Sequence, residues 1–148
     1  MPKLFNTNIM AVLLATIVFF MFGWVWYGPL FSEVWLAAEG ITQEVANKRL
    51  EEMGLATWLI SALLLTLGQA VGVLMVIHLA GAKRLPACLK AAFWLAVTIA
   101  LPLLAYASVY SGYPWSGFFI DAGHILIGYL LMAALYAAFR GKGSMDGL

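Results

Sequence analysis

Two ionisable residues, Asp121 and His124, stand three apart in a run from Trp115 to Phe139 that contains no other charged residue. At 3.6 residues per turn they share one helical face, and Gly117 and Gly128 extend the same small and polar stripe. Ionisable groups in such surroundings are costly and mark candidate sites. A carboxylate beside an imidazole can hold a structural hydrogen bond, exchange a proton or bind a cation. As a metal site the pair offers two ligands only, and no further His, Cys or carboxylate stands at matching depth. The other histidine, His78, falls 23 residues into the second apolar segment, about 34 Å along a helix from its outer end, so it cannot join His124 on one metal or haem. Phosphate-binding glycine loops, a Ser-His-Asp set and an HExxH run are missing, so no catalytic residue, metal or cofactor is expected.

The elements that must position Asp121 and His124 follow from composition. Of 148 residues, 64% are hydrophobic and 10% charged, against about 25% charged in a soluble domain. A net charge of +1 points to no nucleic-acid partner, and the single cysteine, Cys88, excludes an internal disulfide. Crossing a hydrocarbon layer takes roughly 20 apolar residues in helical form. Four segments meet that length, at about 8–27, 55–79, 89–110 and 115–139, with an outer loop at 28–54. Without water to satisfy peptide groups such runs must be helical. The reading is an all-α integral membrane protein, an antiparallel four-helix bundle in one domain over residues 1–148. No small-x-small cleavage pattern follows the first apolar run, which is read as an uncleaved helix.

At comparable depth to Asp121 lie Trp24, Ser61 and Tyr106, the expected partners of a polar intramembrane cluster with Asp121 and His124. Gly68 and Gly72 form a GxxxG pattern flanking Gln69, expected with Gly128 to let helices approach inside the bundle. Pro102 leaves the Thr98 carbonyl without its helical partner and predicts an irregularity in the third segment.

In the outer loop, Gly28-Pro29 is expected to end the first helix. Phe31, Val34, Trp35 and Ala38 fall on one face of a short amphipathic helix that would pack over the bundle through Phe31 and Trp35. Thr42 can cap a further helix with Gln43 and Glu44 in its first turn. Most aromatics near this end fit an interfacial belt. Lys3, Lys83, Arg84, Lys90, Arg140 and Lys142 would share one side, against Lys48 and Arg49 on the other, which places both termini in the cytoplasm of an inner-membrane protein.

The turn Trp26-Tyr27-Gly28-Pro29-Leu30-Phe31, then Trp35 and Gly40-Ile41-Thr42, followed by three more apolar segments, resembles a bacterial membrane family catalogued as a domain of unknown function, number seventeen sixty-one. The Phe119-Ile120-Asp121-Ala122-Gly123 segment is similar to the family's polar residue followed by small ones, while His124 departs from its pattern, where an aromatic is expected. The resemblance spans residues 9–139 and implies the fold without an activity. Two functions lead, with a membrane enzyme as the third. One is a non-enzymatic binding or accessory subunit contacting the lipid bilayer, another membrane protein or a second copy. The other is a small oligomeric transporter linked to protons or cations through Asp121 and His124.

Overall fold

The computed structural model describes residues 3–4 and 7–142, with side chains for 9–139. Ahead of the first helix, Lys3–Leu4 and Thr7–Asn8 pair as a two-residue antiparallel ladder. The helices are α1 (Ile9–Val25), α2 (Ser32–Ala38), α3 (Gln43–Met53), α4 (Leu55–Leu79), α5 (Leu85–Leu95), α6 (Leu101–Tyr110) and α7 (Trp115–Lys142). Four stretches are long and apolar enough to cross a membrane: Ile9–Leu30, Leu55–Leu79, Leu85–Tyr110 and Trp115–Phe139.

Prolines shape two of these stretches. Winding continues past Val25 as a π-helical turn, Trp26–Leu30, instead of ending at Gly28-Pro29. A proline ring clashes with the carbonyl four residues back, and widening the turn accommodates it: the Phe31 N–H donates to the Trp26 carbonyl at 3.0 Å. The same device joins α5 to α6. Ala96–Ala100 is π-helical immediately before Pro102, and the Leu101 N–H reaches the Ala96 carbonyl. The third stretch begins at Leu85, four residues before the expected start, because Pro86 is tolerated in a first turn where its missing N–H has no helical acceptor to lose. Lys90 therefore belongs to α5 and is exposed on it.

The loop helices α2 and α3 form as the sequence suggests. Thr42 is extended and its hydroxyl accepts the Val45 N–H at 3.3 Å, capping α3. Gly54, at φ 82°, makes the sharp passage from α3 into α4 that a side chain would strain.

The core lies toward one end. Ala11, Val12, Ala15 and Phe19 of α1 meet Ala70, Val73, Leu74 and Ile77 of α4, Cys88 and Ala92 of α5, and Tyr129, Met132, Ala133 and Tyr136 of α7. Alanines at these contacts let backbones approach closely, the packing mode available where apolar surroundings remove the hydrophobic drive between helices. Tyr136 is fully buried and its hydroxyl donates to the Ala70 carbonyl at 2.6 Å. Toward the other end packing loosens. No α4 residue before Thr66 is buried, and α6 buries none.

Candidate functional site

Asp121 sits one and a half turns into α7, and each of its carboxylate oxygens accepts from a different tyrosine. Tyr27 Oη donates to Oδ1 at 2.8 Å, and Tyr113 Oη donates to Oδ2 at 3.1 Å. Tyr27 comes from the π turn that ends the first stretch, and Tyr113 from the loop ahead of α7. The carboxylate thus ties three parts of the chain together at the end where the core is thin. Burial, and then the Asp121 charge beside it, pushes the Tyr113 phenol well above its ordinary range, so Tyr113 remains a donor.

Glycines on α7 make room for this arrangement. A Cβ at Gly117 would lie 2.5 Å from the Tyr113 ring and 2.8 Å from the Ala38 Cβ of α2. At Gly123 it would lie 2.9 Å from the Trp26 ring, and at Gly128 it would overlap the Phe19 ring. Trp26 Nε1 also donates to the Ile120 carbonyl at 3.0 Å. Ascending residues of the first stretch, Phe19, Gly23 and Trp26, meet descending residues of α7, Gly128, His124 and Gly123. The two run in opposite directions, with aromatic rings of one seated on glycines of the other.

His124 stacks within this seam. Its ring lies 4.8 Å from Phe19 at an interplanar angle of 15° and 5.4 Å from Phe22 at 6°, with Tyr27 tilted at 4.9 Å. Its Nε2 is buried without a hydrogen-bond partner in the protein. It shares a face with Asp121, yet no hydrogen bond links the two.

The expected polar cluster takes a different form. Ser61 is exposed on α4, Tyr106 is 59% exposed and paired with Tyr110 at 5.4 Å, and Trp24 is 60% exposed. None of the three bonds Asp121. Depth alone selected them, whereas azimuth around each helix turns Ser61 and Tyr106 outward. The missed partners, Tyr27 and Tyr113, sit in two separate turns, and belt position masked their role. The signal available was the stripe of glycines around Asp121, which only bulky neighbours would need.

The GxxxG expectation also changes. A Cβ at Gly68 or Gly72 would meet nothing within 4 Å, so these glycines do not mediate close approach, and Gly128 does. Gln69 between them has a buried Oε1 with no hydrogen-bond partner in the protein. In the outer turn, Phe31 lies 4.7 Å from Trp26, and Trp35 lies 5.5 Å from Tyr27, so α2 is held against the π turn by rings. Pro29 itself is exposed.

Between α1, α3 and α4 a cleft of about 580 Å³ opens. Its walls include Phe19, Phe20, Trp24, Tyr27, Trp35 and Trp58, its rim carries Gln43 and Asn47 of α3, and its lining reaches Gln69 and His124. The Gln43 amide donates to Asn47 at 2.9 Å across that rim. Among the described residues no group of three or more His, Cys, Asp and Glu is placed to hold a metal ion.

A four-span helical chain with an aromatic and glycine seam defines a class of polytopic membrane-type helical proteins. Over residues 10–137 the chain matches the family described as "Protein of unknown function (DUF1761)", and it belongs to that family. No curated protein and no solved structure matches it.

Proposed function

We propose that this chain is a multi-pass membrane protein that works without catalysis, as a binding or accessory subunit whose working surface is the cleft beside the Asp121 seam. The observation that carries the reading is the engagement of both Asp121 oxygens by tyrosines. A carboxylate so occupied is a latch: it fixes the first stretch, the loop before α7 and α7 itself around the cleft mouth. Tyr27 belongs to both features, since its hydroxyl bonds Asp121 and its side chain lines the cleft. Pockets of about 300–1,000 Å³ with apolar walls and few polar groups suit small guests, and 580 Å³ falls in that range. The bilayer supplies the surroundings, and a second membrane protein or a second copy is the macromolecular partner.

The four spans form an antiparallel bundle in the inner membrane, with α2 and α3 outside and both termini in the cytoplasm. The six-to-two division of lysine and arginine supports that orientation.

Asp121→Asn separates the latch from an ion-handling role. Asparagine keeps the shape and can still bond both tyrosines, accepting from one and donating to the other, but cannot ionise. The latch reading expects near-parental thermal stability and an unchanged cellular effect. A variant that folds normally yet loses pH- or cation-dependent flux in reconstituted vesicles overturns it in favour of a small transporter.

A further inference from the structure

We propose that the cleft binds a neutral, oxygen-substituted ring of the quinone class, held by Gln69 and His124; this deepens the reading of the cleft as the working surface and rests on it. Three observations converge. Gln69 Oε1 and His124 Nε2 are both buried, both lack a partner in the protein, and both belong to residues lining this one cleft. Unpaired buried polar atoms are costly, and a guest with matching atoms relieves that cost. Both groups are also amphoteric. An amide presents either its carbonyl or its NH2, and a neutral imidazole presents N–H or a lone pair according to its tautomer. They can therefore serve a ring carbonyl as donors and a ring hydroxyl as acceptors.

The walls select the rest of the guest. Trp24, Trp58 and Phe20 offer flat apolar faces that favour a planar ring. The lining contains no Asp, Glu, Lys or Arg, so an anionic headgroup would enter without a counter-charge. An acyl chain alone would leave both polar atoms unsatisfied. Gly23 packs against His124: a Cβ there would lie 3.0 Å from Nε2, so the glycine keeps a side chain of its own off the imidazole edge. The stack with Phe19 and Phe22 sets the plane of the imidazole before a guest arrives.

The test uses the full chain in nanodiscs of zwitterionic lipid, titrated with a short-chain benzoquinone and a short-chain naphthoquinone and read by tryptophan quenching. Saturable quenching is expected, weakened about tenfold or more in Gln69→Leu and in His124→Phe, which keeps the ring stack, as befits a lost hydrogen bond in a dry site. Ala62→Trp, which narrows the cleft and is read against its own unquenched fluorescence, should reduce quenching to the linear partition of quinone into lipid, with thermal stability confirming that each variant is folded. Saturation that survives Gln69→Leu and His124→Phe unchanged overturns the recognition by these residues. Equal competition by a neutral single-chain lipid such as a monoacylglycerol overturns the ring class and leaves the cleft a binding surface. Linear quenching that is identical in Ala62→Trp and the parent overturns the quinone proposal. Whether any other guest occupies the cleft is read separately, from molecules that co-purify with the chain.

Discussion

The Phe19 ring of α1 occupies the space that a side chain at position 128 of α7 would fill. Phe19 is fully buried there, with Tyr129 edge-on at 6.3 Å and His124 stacked above at 4.8 Å. This contact joins the core to the polar seam, because one ring belongs to both.

Gly128→Ala should therefore destabilise the protein by about 1 to 3 kcal/mol, the usual cost of overpacking a filled site. Gly72→Leu should change stability by less than about 0.5 kcal/mol in detergent, since it points into open space. Thermal unfolding of the two variants in one detergent checks both values. The reverse order of sensitivity would move the close approach from the α1–α7 seam back to the GxxxG face of α4.

That contrast shows what the sequence can disclose. Span number, the capping role of Thr42 and the docking of α2 through Phe31 and Trp35 are all legible, because each depends on local pattern. Whether a glycine faces a neighbour is not local. Gly68-x-x-x-Gly72 and Gly128 look alike along the chain, and only the azimuth of α4 and α7 in the assembled structure separates them. Asp121 stood out as a lone charge, while its partners depended on two turns, one widened by Pro29, whose geometry no periodicity encodes.

Tyr113 gives a prediction in pH. Burial and the neighbouring Asp121 charge raise its pKa in the folded protein, whereas in the unfolded chain a tyrosine titrates near 10. A group whose folded pKa is raised contributes stability that is fully present below the unfolded value and is lost as pH rises through the folded one. The stability difference between the parent and Tyr113→Phe should thus stay constant from neutral pH to about 10 and shrink only beyond it. A difference that already declines between pH 7 and 9 would remove Tyr113 from the latch.

Topology is checked by thiol labelling. In a Cys88→Ser background, Glu44→Cys on exposed α3 should react with an impermeant thiol reagent in intact cells, and Lys83→Cys only after lysis. The opposite pattern inverts the orientation.

The account's central claim, that the cleft between α1, α3 and α4 holds a neutral guest, is tested most directly by native mass spectrometry of the gently solubilised protein. The parent should carry a small neutral molecule that survives transfer, and Ala62→Trp, equally folded, should lose it. A parent with no retained molecule, or one retained equally by Ala62→Trp, would contradict the claim.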